Sequence, residues 1–472
     1  MINVALICLD SFRADCLGAM GRKPFMKTPH LDRLAAEGVV FENAFGEGQP
    51  TIQYRRALCT GMRSFPFDEK YDTKGLWPNL AGWHKIPPEQ PTLAEILLDA
   101  GYATGFSSDT YHMFKPTQNF TRGFMSWDFI RGQESDNFRV GPISAVDSRR
   151  FSPPGKSVSS MALQHLINFQ DRKSEDDYSA AKVFASACRF LDDARDMQPF
   201  FLWVDAFDPH EPWDPPKRCA DLYDPDWAED WEPIHGIRPD DEEKIRRRFA
   251  ANYYGECSFV DKCVGRLLDK LDELGMAQNT LVIATSDHGT EVMDHGAFQK
   301  GAHGCLYRHN NEILTVMRLP GRLEPGRRIK GFIQNQDFFP TILKSCGVSA
   351  PPVDGIDFMP LARGETGCVR DFVITGWHNL ANVRTHEYSY VCNYTVKPRE
   401  KEWLFDVAAD PGEMNNIADR KPEVCAQALG RLEEFLGQGI PFDLPANKWP
   451  TQPPFRIWLQ KSAAGKKIAV QG

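Results

Sequence analysis

Blocks of apolar residues alternate with amphipathic stretches along the first three quarters of the chain. NVALICL (residues 3–9) and FFLWV (residues 200–204) are continuous apolar runs of strand length. HLDRLAAEG (residues 30–38) and TLAEILLDAG (residues 92–101) have the 3.6-residue period of a helix and end at glycine. Apolar strands that alternate with helices are typical of a parallel sheet covered on both faces. We therefore predict an α/β fold in which helices sandwich a large, mostly parallel sheet, formed by residues 1–365.

The pattern changes from about residue 370. CVRDFVITGWHN, RTHEYSYVCNYT and EWLFDV read as short strands with no helix between them, and residues 423–436 have a helical period. They predict a smaller C-terminal antiparallel sheet with a helix, over residues 366–440. Residues 441–472, rich in proline and basic side chains, predict an extended C-terminal arm. Residues 133–174 show little periodicity and predict a long loop.

Composition narrows the class of protein. The 472 residues carry a net charge of −9 without a lysine- or arginine-rich run, which argues against a nucleic-acid partner. The twelve cysteines are scattered without a CxxC pair, as expected of free thiols in a reducing compartment. No apolar run reaches the length of a membrane span, and the N-terminus lacks a basic region and a cleavage site. We expect a cytoplasmic protein with no membrane partner, and possible assembly into a homo-oligomer stays open.

Two of the predicted strands end in acidic residues. VALICL leads into Asp10, and LVIATS leads into Asp287 and His288. Ligands of an open parallel sheet bind at the carboxyl ends of its strands. Carboxylates suit hard divalent cations, and an added imidazole shifts the preference toward manganese or zinc. The alternative for a strand-end aspartate is a helix cap.

The stretch GQPTIQYRRALCTG (residues 48–61) reads as a loop that enters a helix. Thr51 stands at the entry, and Arg55 follows one turn later. A threonine at this position is either a helix cap or a hydroxyl held at the positive end of a helix for chemistry.

Several longer stretches resemble the sulfatase branch of the alkaline phosphatase superfamily, over nearly the whole chain. The matching stretches are LDSFRADCLGAMG (residues 9–21), KTPHLDRLAAEGVVFENAF (residues 27–45), RALCTG (residues 56–61), FFLWVDAFDPHEPWDPP (residues 200–216), NTLVIATSDHGTEVMDHGAF (residues 279–298) and LFDVAADPGEMNNIA (residues 404–418).

The resemblance implies a role for each matched position. Asp10, Asp287 and His288 would be metal ligands. Thr51 falls where sulfatases carry the cysteine or serine that is oxidised to formylglycine, and it would also touch the metal. Arg55 falls on the arginine that orients this nucleophile.

Histidines would act on the departing group. His210 and His303 fall on positions that contact the leaving group or the oxygens of the transferred group, and Lys300 is an alternative to His303. A second Asp-His-Gly triplet, which contains Asp294 and His295, corresponds to a loop that is usually structural.

The nucleophile motif departs from the family pattern. Sulfatases need Cys/Ser-x-Pro-x-Arg, whereas this chain has Thr51-Ile52-Gln53-Tyr54-Arg55. Threonine cannot yield the aldehyde, so no formylglycine is expected. A threonine alkoxide is the nucleophile of phosphodiesterases and related enzymes elsewhere in the superfamily.

Two further departures concern the metal. Ser11 stands where typical sulfatases have a second aspartate of a calcium site, and the less anionic shell favours one manganese or zinc ion, with calcium possible. Asp109 stands near the usual position of a lysine, and His112 keeps the place of the histidine that follows it. Asp208 and the two histidines of the leaving-group side would then complete a second metal site, or these residues contact substrate. The alternative for Asp109 is a surface loop acid or the partner of an arginine.

The sequence thus predicts a metal-dependent hydrolase of a small phosphodiester or phosphonate monoester, with Thr51 attacking phosphorus in line. Three alternatives stay open: a sulfate ester hydrolase without formylglycine, a transferase that passes the phosphoryl group to an alcohol, and an inactive anion-binding homologue.

Overall fold

A large mixed sheet forms the centre of the computed structural model, which describes residues 1–67, 80–115, 117–153, 156, 158–300, 305–394, 401–437 and 454–461. The strands in chain order are β1 (Asn3–Leu9), β2 (Val39–Phe41), β3 (Ala44–Phe45), β4 (Ala103–Ser108), β5 (Ser126–Phe129), β6 (Phe200–Ala206), β7 (Thr280–Ser286), β8 (Thr315–Arg318), β9 (Arg327–Ile329), β10 (Ile333–Gln334), β11 (Val373–Trp377), β12 (Leu380–Arg384), β13 (Tyr388–Asn393) and β14 (Glu402–Asp406).

The large sheet has the order β5-β4-β6-β1-β7-β8-β2-β9, and β8 alone runs antiparallel to its neighbours. β1 is central: it pairs in parallel with β6 and β7, and Leu9 lies level with Ala206 and Ser286. The residues that follow these three strands therefore meet at one edge of the sheet. The predicted mostly parallel α/β sheet is confirmed.

Helices cover both faces of this sheet. All α-helices of the described residues, in chain order, are α1 (Pro29–Glu37), α2 (Thr51–Thr60), α3 (Leu93–Asp99), α4 (Ser160–Asn168), α5 (Ser179–Asp193), α6 (Lys217–Ala220), α7 (Glu243–Glu273), α8 (Arg308–Asn311), α9 (Phe338–Ser345), α10 (Met359–Arg363), α11 (Pro422–Leu436) and α12 (Pro454–Lys461). Successive residues of β1 point to opposite faces. Ala5 and Ile7 join a core with α1, α5 and α7, whereas Leu6 and Cys8 join a core with α2, α3 and α9.

The C-terminal sheet is an antiparallel meander, β11-β12-β13-β14, with α11 packed against it. Its core includes Phe65 and Phe67, which follow α2, so this sheet is joined to the region of the site. The small antiparallel sheet and its helix are confirmed, but β12 was not predicted. All five residues of β12 are buried, including the polar Asn382 and Arg384, so its sequence shows neither an alternating pattern nor a continuous apolar run.

Two segments differ from the sequence predictions. Residues 133–174 contain α4, which Ser159 caps by accepting a hydrogen bond from the Ala162 amide, so the segment is not all loop. Residues 454–461 of the predicted extended arm form α12, which begins at a proline and packs near α4. In the described part of the chain, no helix is long and apolar enough to cross a membrane.

Candidate active site

Asp10, Asp287 and His288 converge at the carboxyl edge of the sheet, as predicted. Their ligand atoms lie within 4.8 Å of one another, and all three side chains are fully buried. The backbone amide of Ser11 donates to Asp287 Oδ1 over 2.9 Å, and the Ser11 hydroxyl donates to Asp10 Oδ1 over 2.8 Å. Ser11 adopts a left-handed conformation, φ 61°, which lets one residue hold both carboxylates.

His288 presents a lone pair to this cluster. Its Nδ1 lies 2.7 Å from the Gly289 carbonyl oxygen, which only accepts, so Nδ1 carries the proton and Nε2 does not. Burial lowers the pKa of His288 to about 4, which keeps the imidazole neutral at pH 7. Nε2 lies 3.5 Å from Asp287 Oδ2, so two acceptor atoms face each other.

These residues fit a divalent cation. Within the described residues, neither Asp10 Oδ2 nor His288 Nε2 has a hydrogen-bond partner, although both are buried. Burial, together with the charge of Asp287, raises the pKa of the Asp10 carboxyl well above its ordinary value. A bound cation would offset the cost of burying two neighbouring negative charges. Two carboxylates with one neutral imidazole suit manganese or zinc.

Arg55 is the fixed cation of the site. Its Nη1 donates to Asp287 Oδ2 over 2.6 Å and lies 3.1 Å from Asp10 Oδ2. Its Nε and Nη2 make a bidentate pair with Asp205, at 2.8 and 3.0 Å. The guanidinium is fully buried, so one positive charge stands among three buried carboxylates. This imbalance is a second physical reason to expect a cation here.

Thr51 is the first residue of α2, and its N-cap is Pro50, so the interpretation of Thr51 as a helix cap is wrong. The side chain is 2% exposed. Arg55 Nη1, which binds Asp287, also lies 3.3 Å from the Thr51 carbonyl oxygen and donates to it. One guanidinium nitrogen therefore links the turn that carries Thr51 to the metal-ligand cluster.

The predicted leaving-group side contains Lys300 and His210. Lys300 Nζ lies 3.2 Å from the Ser11 hydroxyl oxygen and 3.4 Å from Glu211 Oε2. His210 Nδ1 lies 2.6 Å from the Glu211 carbonyl oxygen, and its ring stacks on Phe207. Burial lowers the pKa of His210 to about 4, so the ring is neutral at pH 7. His303 lies outside the described residues.

The side-chain amide of Gln133 links Asp109 and Asp208. Gln133 Nε2 lies 2.8 Å from Asp109 Oδ2 and 2.8 Å from Asp208 Oδ1 and donates to both. Asp109 also accepts from the Phe207 amide over 2.7 Å and is fully buried. The interpretation of Asp109 as a surface acid or an arginine partner is therefore wrong.

A second ion beside Asp109 stays a prediction. Within the described residues, this pair is not among the side-chain groups that could hold a metal. His112 lies 3.4 Å from Glu134 Oε2, which also accepts from the Tyr111 hydroxyl over 2.6 Å.

Sequence reasoning missed Asp205 and Glu211. Asp205 is the acid inside the apolar run of β6, and a charged residue in a strand buried on both faces needs a buried partner, which here is Arg55. Glu211 is 7% exposed and lies beside Lys300. Its signal was weaker, since a glutamate in a proline-rich loop is usually solvated.

Comparisons with known proteins agree with this geometry. The family profile described as Sulfatase matches residues 2–348, and a second profile, N-sulphoglucosamine sulphohydrolase, C-terminal, matches residues 294–436. An arylsulfatase of Clostridium perfringens is 28% identical over 88% of this chain and 90% of its own. The multifunctional alkaline phosphatase superfamily protein PehA of Trinickia caryophylli is 27% identical over 88% of this chain and 91% of its own.

A solved structure gives the same fold. The phosphonate monoester hydrolase of Agrobacterium radiobacter superposes with a TM-score of 0.72 at 22% identity, over 93% of this chain and 95% of its own. With the profile match over most of the sequence, the chain belongs to the sulfatase family of ester-bond hydrolases, within the alkaline phosphatase superfamily.

Proposed function

We propose that this chain hydrolyses phosphodiesters or phosphonate monoesters with Thr51 as the nucleophile. The observation that carries the proposal is the placement of Thr51. An unmodified hydroxyl residue opens a buried helix and is tied through Arg55 to the carboxylate pair that fits a metal. The N-terminus of α2 adds a positive field that favours the threonine alkoxide and a bound anion.

The chemistry of threonine favours phosphorus over sulfur. In the first step, the bond from Thr51 Oγ1 to phosphorus forms as the bond from phosphorus to the leaving oxygen breaks. Water then displaces Thr51 from phosphorus. Formylglycine releases sulfate by collapse of a hemiacetal. Threonine has no such route, so a sulfated Thr51 would accumulate as a dead-end intermediate.

Neighbouring side chains supply charge and a base. Arg55 stays protonated between Asp205 and Asp287 and faces the region where negative charge develops. Lys300 is a second cation, beside Ser11, and we assign it to the leaving oxygen. His210 is neutral at pH 7, with Nδ1–H fixed by the Glu211 carbonyl, so its Nε2 can accept the proton of the attacking water.

Asp10, Asp287 and His288 would hold the divalent metal, with the Thr51 hydroxyl as a further ligand. When bound, the ion supplies Lewis-acid chemistry that lowers the pKa of a coordinated hydroxyl and offsets charge on phosphorus. The donor set favours manganese or zinc over calcium because it contains an imidazole and lacks a second aspartate at Ser11.

A sulfate ester hydrolase is the second candidate. Its support is the resemblance to the Clostridium perfringens arylsulfatase, which spans nearly all of both chains. The arylsulfatase and PehA are about equally similar to this chain, so our preference for phosphorus esters rests on the threonine at position 51.

Turnover of matched esters tests the proposal. The enzyme is assayed with bis(p-nitrophenyl) phosphate, p-nitrophenyl phenylphosphonate and p-nitrophenyl sulfate, which share a leaving group. We expect both phosphorus esters to have kcat/KM values at least about 100-fold above that of the sulfate, a difference of about 2.7 kcal/mol. Preference for the sulfate contradicts the proposal. Rates that rise with added alcohol identify a transferase, and no turnover by metal-loaded protein identifies a binding protein.

A further inference from the structure

A second cluster of candidate metal ligands shares the loop after β7 with the first. Glu291, His295 and His309 place one ligand atom each within 4.8 Å of one another. Glu291 is three residues beyond His288, and His309 belongs to α8. The Glu291 side chain is 1% exposed, and those of the two histidines are 11% exposed.

The histidine tautomer can be assigned from the contacts. His295 Nε2 lies 3.0 Å from the Gly412 carbonyl oxygen and 3.3 Å from that of Glu413. Carbonyl oxygens only accept, so Nε2 carries the proton and Nδ1 of the neutral ring presents a lone pair. That Nδ1 lies 3.9 Å from Glu291 Oε2, so two acceptors face each other.

The remaining donor atoms also lack partners. Glu291 Oε1 accepts from Asn310 Nδ2 over 2.9 Å, but Oε2 has no partner within the described ranges. His309 Nε2 lies 2.8 Å from Glu291 Oε1 without hydrogen-bond geometry, and it too is without a partner there, as is His295 Nδ1. Three unpartnered, mostly buried polar atoms at one point cost free energy unless a cation joins them.

We infer that Glu291, His295 and His309 bind a zinc ion. Two imidazoles and one carboxylate are a zinc donor set, and the slight exposure of both histidines leaves room for water as the fourth ligand. Calcium and magnesium prefer an all-oxygen shell, and they fit this site poorly.

The site holds the metal-ligand loop against the C-terminal region. His295 contacts the carbonyl groups of residues 412 and 413, and the Glu413 side chain accepts from the Arg308 amide over 2.6 Å and from Arg384 over 2.7 Å. Zinc would therefore tie the loop after β7 to α8 and to the C-terminal sheet. The inference does not rest on the proposed function, because no reacting group is required.

Competing explanations predict different metal contents. If His295 is instead protonated and pairs with Glu291, the cluster binds no metal. Its ring also stacks on Tyr307, with centroids 3.5 Å apart, which positions the imidazole with or without an ion.

Metal content of the full chain tests the inference. Purified protein is loaded with Zn²⁺, dialysed and measured by mass spectrometry for metals, with folding followed by circular dichroism. We expect His309→Ala to lose about one zinc equivalent relative to wild type. His386→Ala is the control, because it removes an exposed histidine that lies outside both clusters. Its zinc content should equal that of wild type. Equal zinc content in wild type and His309→Ala overturns the inference.

A ligand exchange keeps the test valid if His309→Ala fails to fold. Cysteine at this position can still bind the ion, so His309→Cys should retain the zinc content of wild type. Loaded with Co²⁺, this variant should show a thiolate-to-cobalt charge-transfer band in the near ultraviolet that wild type lacks. Folded His309→Cys protein without that band overturns the inference.

Discussion

Two clusters of candidate metal ligands each include residues of the loop after β7, and they share one electrostatic signature. In each, a backbone carbonyl fixes one imidazole nitrogen, and the other nitrogen faces a carboxylate oxygen, at 3.5 Å for His288 and Asp287 and at 3.9 Å for His295 and Glu291. The signature therefore indicates cation binding in both places and does not separate catalysis from structure.

The surroundings separate the two clusters. Arg55 binds Asp287 and reaches the first turn of α2, where Thr51 supplies a hydroxyl. The cluster around Glu291 has instead an amide partner in Asn310 and two carbonyl groups of the C-terminal region. The first residue of a helix and a buried arginine lie beside the first cluster, and an amide and two carbonyl groups lie beside the second.

The largest expected effect comes from removing the nucleophile. Thr51→Ala should lower kcat on p-nitrophenyl phenylphosphonate by at least about 1,000-fold, because no atom is left to attack phosphorus. Metal content should change little, since the three protein ligands remain. Thr51→Ser is the matched control and should stay within about tenfold of wild type, because it keeps the hydroxyl. Activity retained by Thr51→Ala would remove this residue from the mechanism.

Matched substitutions on one loop separate the catalytic ligands from the residues nearby. Asp287→Asn should lose the catalytic metal and at least about 100-fold in kcat/KM, because a neutral amide cannot replace the charge of the carboxylate. Asp294→Asn removes one partner of the buried Arg13, which keeps Asp15. We expect near-normal kcat/KM and a free energy of unfolding lower by about 1–3 kcal/mol, measured in urea. If Asp287→Asn and Asp294→Asn lose kcat/KM equally, the loop has only a structural role.

The hydrogen bonds of Arg55 can be weakened while its positive charge is kept. Arg55→Lys cannot make the bidentate pair with Asp205 and should lower kcat/KM about 10- to 100-fold. Arg56→Lys is the matched control, because the Arg56 guanidinium donates to the backbone carbonyl oxygens of Gly82 and His84. It should stay within about threefold of wild type. A larger loss of kcat/KM in Arg56→Lys than in Arg55→Lys would contradict the role of Arg55.

The smallest expected effect is on pH-dependent stability. The folded pKa of His210 is about 4, below the unfolded value of about 6.5. Between these values the unfolded chain binds more protons, so the free energy of unfolding falls as the pH drops through this window and is unaffected above it. At pH 5 the contribution lost is about 2 kcal/mol.

Urea midpoints at pH 7 and pH 5 measure this effect. Wild type should lose more stability on acidification than His210→Gln, whereas His386→Gln should stay closer to wild type, because the mostly exposed His386 ring has its pKa lowered by only partial burial. An identical pH response of His210→Gln and wild type would show that His210 is not buried in its neutral form.

The sequence predicted best those site residues that directly follow a strand with a clear apolar run. β1 and β7 are buried along their whole length and have apolar central runs, so their ends, and with them Asp10, Asp287 and His288, were predictable. The bonds that organise the site were not, because they join residues far apart in the chain. Arg55 and Asp205 are separated by 150 positions, and neither neighbourhood indicates the other.

Polar residues in buried positions account for most of the errors. β12 was missed because buried Asn382 and Arg384 interrupt its apolar pattern. The surface-loop alternative for Asp109 arose because the amide that satisfies it, Gln133, lies 24 residues away in a segment without periodicity. The second Asp-His-Gly triplet matched a structural loop, and nothing near His295 in the sequence indicates that it meets His309.

The nucleophile can be identified by trapping it. Enzyme is mixed with p-nitrophenyl phenylphosphonate, quenched in acid within one turnover, digested and analysed by mass spectrometry. We expect a phenylphosphonyl group on the peptide that contains Thr51, and none in Thr51→Ala. A covalent group on another residue, or burst release of p-nitrophenol without any modified peptide, would contradict attack by Thr51.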